Sequence, residues 1–333
     1  MNVEGKTVFL TGGAGFIGSH LARKYSELGA NVLIYDNLST GFEDFLSDIP
    51  NLTLIKGDII DAELVQSSMK GCDIVSHHAA ELEVFTGIDN TIHEMRVNIE
   101  GTLNVLNAAI KNDVEKVIYA SSGGVYGQAT YIPENEDHPL MPQWPYGVSK
   151  LAGEKYCQQY TQLYGLPTVA FRYGIVYGPH EWYGRVLTMF IKRVLSGKPP
   201  VIFGRGTQKR DFVYVSDVVK ANILGTQKDD ISGMRFNIGG NSSVSVVELA
   251  NLVIKLINPK LQPIFDDPKP GEFSKYQPER KRLPAELKDF ILDITSAKEK
   301  LGYYPEVEFE EGIRKEIEWF KANPHVWDYN PRV

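Results

Sequence analysis

Along the first half of the chain, short apolar runs alternate with stretches whose apolar positions recur every three or four residues. KTVFLT (6–11), NVLIYD (31–36), LTLIKGD (52–58), CDIVSHHAA (72–80) and EKVIYASS (115–122) are rich in β-branched residues and read as strands. Between them, FIGSHLARKYSELG reads as a helix closed by Gly29, and a helical pattern runs from about Ile92 to Ile110. The strand runs are nearly continuous rather than alternating apolar and polar. Strands covered by helices on both faces require that, so the pattern predicts a doubly wound α/β fold around a parallel sheet. A helix from Tyr146 to about Tyr164 and a sixth strand, LPTVAFRYG (166–174), extend it. Beyond Tyr177, glycines and prolines cluster at 178–184, 197–206 and 263–278 among shorter helices. The expected division is one large domain over 1–174, rejoined by segments at about 211–240, and a smaller domain over most of 175–333.

Bulk properties narrow the partners. The 333 residues carry a formal charge of −7, and the only dense basic run, Arg280-Lys281-Arg282, is too short to track a nucleic-acid backbone. No apolar stretch approaches the length of a membrane span, and Met1–Glu4 lack the cationic start of a secretory signal. Cys72 and Cys157 lie far apart without metal-type spacing, so a cytoplasmic setting is expected. His77 and His78 end a strand and lack a spaced acidic or Cys partner; they read as packed rather than metal-binding.

TGGAGFIG (11–18) lies between the first strand and the first helix. Glycine there allows a tight turn and a close backbone approach to a pyrophosphate, and the helix N-terminus offers unpaired N–H groups to it. Gly13, Gly15 and Gly18 fit G-x-G-x-x-G; Gly12, Gly15 and Gly18 fit a G-x-x-G-x-x-G frame. Asp36 ends the second strand, placed to accept from a ribose 2′-hydroxyl, and its charge would repel a 2′-phosphate. NAD is therefore favoured over NADP.

WPYGVSK (144–150) is the second constellation. Pro145 suits the first turn of a helix, which puts Tyr146 and Lys150 on one face, a turn apart. A nearby ammonium is expected to draw the phenol down from about 10 toward neutrality and make it a general base. Ser122 sits just past the end of a strand, at the edge where open α/β sheets bind ligands.

Together with GDI (57–59), HHAA, VNIEGT (97–102), ASSGGVYG, FRYGIVYGP, GTQKRDFVYVSDV and LDITSAKEKLGYYP (292–305), these motifs resemble the extended short-chain dehydrogenase/reductase superfamily. Within it they look most like NAD-dependent nucleotide-sugar 4-epimerases of the UDP-glucose/UDP-galactose type. The resemblance implies a Rossmann domain, a catalytic Ser122, Tyr146 and Lys150, and a homodimer to which the Met95, Ile99, Leu103, Leu106, Ile110 stripe, read from its helical spacing as core, would also contribute. It places Gly12, Gly15, Phe16, Ile17, Gly18, Asp36, Asn37 and Ser39 on the cofactor. Asp58 and Ile59 would flank its adenine, Ala79, Ala80 and Asn98 would line it, and Tyr173 would approach the nicotinamide, with Lys150 on the adjoining ribose. The implied reaction is inversion at C4 of a nucleotide sugar through a 4-keto intermediate. A 4-keto-sugar reductase, or an epimerase of a uronic acid or N-acetyl sugar, fits the same triad.

Four departures bear on the substrate. FRYGIV has Ile175 where the family has an asparagine on the diphosphate, so either the phosphates are bound differently, with Glu181, Trp182 or Arg185 as candidates beside Arg210 in QKRDF, or the substrate differs. Gly123-Gly124 replaces the acids of the dehydratases and decarboxylases. Glu81 and Glu83 stand where neutral or basic residues are common, either as solvated charges, the favoured reading, or as partners of a sugar hydroxyl. Finally, Lys269 sits where a phosphate-binding arginine is common, and the 273–290 stretch is longer than usual, its Arg280–Arg282 run a candidate partner for a uronate.

Overall fold

The structure, a computed structural model, describes residues 1–182, 184–284 and 288–327. Up to Tyr173 the six expected strands and the expected helices form, together with α2 and α3, which the apolar pattern did not mark: β1 (Thr7–Thr11), α1 (Phe16–Glu27), β2 (Asn31–Asp36), β3 (Leu52–Lys56), α2 (Ala62–Ser68), β4 (Ile74–His77), α3 (Val84–Asp89), α4 (Thr91–Met95), α5 (Gly101–Lys111), β5 (Lys116–Ser122), α6 (Pro145–Tyr164) and β6 (Thr168–Tyr173). A π turn at Arg96–Glu100 joins α4 to α5. Then follow β7 (Ile175–Tyr177), α7 (Val186–Leu195), β8 (Val201–Phe203), β9 (Lys209–Tyr214), α8 (Val215–Gln227), β10 (Met234–Ile238), β11 (Ser243–Ser245), α9 (Val246–Ile257), β12 (Ile264–Asp266) and α10 (Phe309–Ala322).

Seven parallel strands form one sheet in the order β10-β6-β5-β4-β1-β2-β3. The winding reverses between β1 and β4, and the crevice beyond their carboxyl ends is where open α/β sheets take ligands. Both faces are covered. Phe9 of β1 joins Val75, Val105, Leu106 and Val117 on one side. Val8 and Leu10 join Leu21, Ile34, Val219 and Ile223 on the other. Burial from two sides is why these strands read as unbroken apolar runs.

β9 lies outside the large sheet, pairing with β7 and β11, and β12 pairs with β8. The return predicted for about 211–240 therefore begins with α8, which packs on α1, and ends with β10 at the sheet edge. There Asn237 accepts from Tyr126 Oη (2.6 Å) and donates to the carbonyls of Glu134 (2.8 Å) and Asp293 (3.0 Å). Its backbone N–H meets the Glu136 carboxylate at 2.8 Å. α6 is fixed to β6 by a buried two-pronged ion pair, Arg172 Nε and Nη2 donating to Glu154 at 2.9 and 2.6 Å. Such a pair imposes geometry more than it adds stability.

Candidate active site

β1 ends at Thr11 and the chain turns at once through Gly12, whose φ of +68° suits glycine. A Cβ on Gly12 would lie 2.6 Å from the Ala79 nitrogen, and one on Gly18 only 2.0 Å from the Gly12 oxygen. Gly15 caps α1 without any side-chain acceptor, so the first-turn N–H groups beside Phe16, Ile17 and Gly18 remain for a ligand. All of these residues except Thr11 line one cavity of about 340 Å³. Asp36, at the end of β2, is buried on the same wall and accepts from the N–H of Ala14 (3.0 Å) and of Leu38 (2.8 Å). Asn37 donates to Asp58 at 3.0 Å, and Ser39, Asp58, Ile59, Ala79 and Ala80 complete this end. A glycine cradle, a free helix terminus and a strand-end carboxylate fit a dinucleotide without a 2′-phosphate.

The same cavity runs on to Ser122, Tyr146 and Lys150. Ser122 ends β5, its Oγ accepting from Gly124 N–H at 3.0 Å. Pro145 opens α6, which carries Tyr146 and Lys150 to one face. Lys150 is only 3% exposed; its Nζ donates to the Ala120 carbonyl at 2.8 Å and lies 5.7 Å from the Tyr146 ring centroid. Burial pulls this ammonium down to about 8, with Glu94 opposing. The expected depression of Tyr146 does not occur: burial raises the phenol, and the influences against it are Arg185 and the Ser122 hydroxyl. Desolvation of the phenolate outweighs a lysine whose charge is spent on a backbone carbonyl.

Tyr173 lines the cavity, its hydroxyl held by Asn222 (2.9 Å) and 3.2 Å from His78 Nε2. His77 is packed between the hydroxyls of Thr11 (2.7 Å) and Thr102 (3.0 Å). Burial lowers both imidazoles far enough to keep them neutral.

At the far end stand Glu181, Trp182 and Arg185. Their segment is pinned to α1: His180 stacks on His20 and Phe45, at 4.6 and 4.0 Å between centroids, and Ser19 meets its Nδ1 at 2.8 Å. Arg185 donates to the Val176 carbonyl at 3.3 Å. Glu181, 3% exposed, accepts from the Thr188 hydroxyl, but its Oε1 has no partner among the described residues. Behind it, Glu316 is fully buried, and neither oxygen has a hydrogen-bond partner among the described residues. Burial pushes Glu181 up to about 8, and burial together with Glu181 pushes Glu316 well above the carboxylate range.

Several predicted contacts lie elsewhere. Asn98 does not line the cavity; its amide is buried against Glu81, accepting from that backbone N–H (2.9 Å) and donating to its carbonyl (2.8 Å). Arg210 is drawn away by the 288–290 stretch, donating to the Lys288 carbonyl at 2.6 Å while Phe290 bridges its strand. Lys269 is in an exposed turn with Glu272. Arg280 donates to the Val201 carbonyl (2.8 Å) and Arg282 to Asp267 (2.5 Å), so neither faces the cavity; residues 285–287 lie outside the described chain. Glu83 caps α3, whereas Glu81 lines the cavity. A Cβ on Gly123 would fall 2.1 Å from Phe290 Cζ, so an aromatic ring occupies the space an acid at 123 would need.

The lining also includes His78, Leu82, His93 and His180, which sequence reasoning missed. Nothing in the spacing of these residues marks them; His78, Leu82 and His180 arrive by way of loops, and His93 on the short helix α4.

Residues 8–239 match the NAD dependent epimerase/dehydratase family. A UDP-glucose 4-epimerase of Mycolicibacterium smegmatis is 34% identical over 94% of this chain and 97% of its own. A dTDP-D-glucose 4,6-dehydratase of Mus musculus is 34% identical over 97% of this chain and 90% of its own. The Thermotoga maritima UDP-glucose 4-epimerase, solved with UDP-glucose, superposes with a TM-score of 0.87 at 35% identity, covering 96% of this chain and 99% of that one. Agreement over nearly the full length places the chain in the NAD-dependent epimerase/dehydratase family, and the dinucleotide for which its glycine turn is shaped is NAD.

Proposed function

We propose that the protein is a 4-epimerase of a UDP-hexose of the glucose/galactose kind. The observation that carries this reading is the pairing of Ser122, Tyr146 and Lys150 on one cavity wall with a neighbouring Gly123 sealed by Phe290. The wall holds the groups for moving a proton at one hydroxyl. It has no acid at 123 or 124 to drive elimination or decarboxylation.

Bound NAD supplies a reversible hydride acceptor and, when oxidised, adds positive charge to the cavity. That charge favours the phenolate which burial alone disfavours. Tyr146 then takes the C4 hydroxyl proton, directly or through Ser122, and returns it after the 4-keto sugar has turned over. Lys150 and the N–H groups of α1 hold the dinucleotide; Arg185, whose guanidinium faces the cavity, meets the diphosphate. Exposed Ile92, Met95 and Val148, on the contacting helices α4 and α6, form the face we assign to a homodimer. No described helix is long and apolar enough to cross a membrane, in keeping with a cytoplasmic enzyme.

Purified, NAD-loaded protein is expected to convert UDP-galactose to UDP-glucose without added cofactor, followed by chromatography of the sugar nucleotides. Tyr146→Phe should lose at least about 100-fold in kcat. Stoichiometric NADH consumption with a 4-keto sugar nucleotide, and no epimerisation, would assign a reductase instead.

A further inference from the structure

Beside the catalytic helix lies an acid that the mechanism above does not use. Glu94, on α4, is 2% exposed, and its Oε1 accepts from Ser149 Oγ and from Asn98 Nδ2, both at 2.5 Å. Ser149 directly precedes Lys150 and also reaches the Tyr146 carbonyl at 3.0 Å. Asn98 holds both backbone groups of Glu81, in the loop that follows β4 and lines the cavity. One buried carboxylate thus touches the two segments whose relative position sets where the Tyr146–Lys150 face stands over the dinucleotide wall. The π turn at Arg96–Glu100, a local departure of the kind often found at functional sites, begins two residues later.

The electrical setting points the same way. Around Lys150 the ionisable groups are Tyr146, Glu154 and Cys157 on its own helix, Tyr119 on β5, His77 at the end of β4, His78 just past it, and Glu94 on α4; of the two acids, Glu154 is already paired with Arg172. The imidazoles are held neutral, and burial raises the phenols and the thiol away from ionising. That leaves Glu94 as the principal negative charge near this ammonium among the described residues. A buried lysine without a counter-charge gives up its proton readily.

We propose that Glu94 is a positioning residue: its buried carboxylate balances the Lys150 ammonium and, through Ser149 and Asn98, ties the catalytic helix to the cofactor loop. The proposal rests on the role given to Lys150 above, but its test reads Lys150 directly. In NAD-loaded protein, competitive acetylation across pH, read by mass spectrometry of the Lys150 peptide, gives the proton affinity of that amine whatever reaction the enzyme performs. Glu94→Gln keeps the shape and removes the charge. It is expected to weaken proton binding at Lys150 about tenfold and to move the alkaline limb of kcat/KM about one pH unit toward acid. Glu94→Asp, with its charge withdrawn by one methylene, should give a smaller shift in the same direction, and it serves alone if the Gln variant fails to fold. An unchanged Lys150 titration in a folded variant would overturn the proposal, even if stability or activity fell. Failure of the wild type to epimerise would refute the proposed reaction and leave this result standing.

Discussion

Arg185 is where individual side chains decide most. It is the guanidinium that faces the cavity, whereas Arg210 is turned to a backbone carbonyl of the 288–290 stretch. Arg185→Ala should therefore raise KM for the nucleotide sugar about tenfold or more, the loss of a charge-assisted contact, while Arg210→Ala raises it much less. The same substitution removes a positive charge that pulls the Tyr146 phenol down. The pH at which the rate reaches its plateau should accordingly move upward, a shift that Arg185→Lys largely avoids. Steady-state kinetics across pH measures both. Much of this site was legible in the chain. Gly12, Gly15, Gly18, Asp36, Ser122, Tyr146 and Lys150 each sit at a strand end or helix start that the apolar periodicity marks. Glu94 and Glu316 were not legible, and Glu181 was marked only as a candidate at the diphosphate, because a carboxyl's meaning depends on what a distant segment places beside it. The phenol's behaviour was misjudged for a related reason: spacing reveals a neighbouring ammonium but not how dry the pocket is.

Among the elements, the stretch at 288–292 has no counterpart in the periodic pattern, yet it braces the site. Its backbone runs beside β9 and the 134 loop, with Ile291 N–H donating to Glu134 at 3.2 Å and Leu292 N–H to Asp211 at 3.1 Å. Burial raises Glu134 to about 8 and Asp211 to about 6. Each therefore binds its proton more tightly folded than unfolded, so its contribution to stability is complete below its unfolded pKa and is lost as pH rises through the folded one. For Glu134 the window runs from about 4.5 to about 8. Denaturant titrations over that range should show wild type losing stability with pH, by at most about 1.4 kcal/mol per unit for this group, and Glu134→Gln should show a shallower loss. The sheet and its helices were predictable because every strand obeys one burial rule. This brace was not, since its ordering comes from two buried acids far away in sequence.

For the molecule as a whole, the cavity draws its walls from the ends of β1–β6 and from the 174–185 segment, so dinucleotide and substrate together would span both parts of the fold. Stripping NAD should lower Tm, and restoring it at about 100-fold over Kd should return about 2.7 kcal/mol. NADP should not substitute, given the Asp36 carboxylate. In Gly18→Ala the response to NAD should vanish, because the added methyl would lie 2.0 Å from the Gly12 oxygen. Differential scanning calorimetry of the stripped and reloaded protein tests all three.

The four contacts of Asn237 have a bearing on how the protein is made. Its side-chain amide gathers the Tyr126 and Glu134 turns and the Asp293 carbonyl, and its backbone N–H the Glu136 carboxylate. The loop leading away from Ser122 is tied through Asn237 to the Asp293 carbonyl, so this link is complete only once residue 293 has left the ribosome. A polypeptide cut short before that point is expected to keep the early strands and to lack this link.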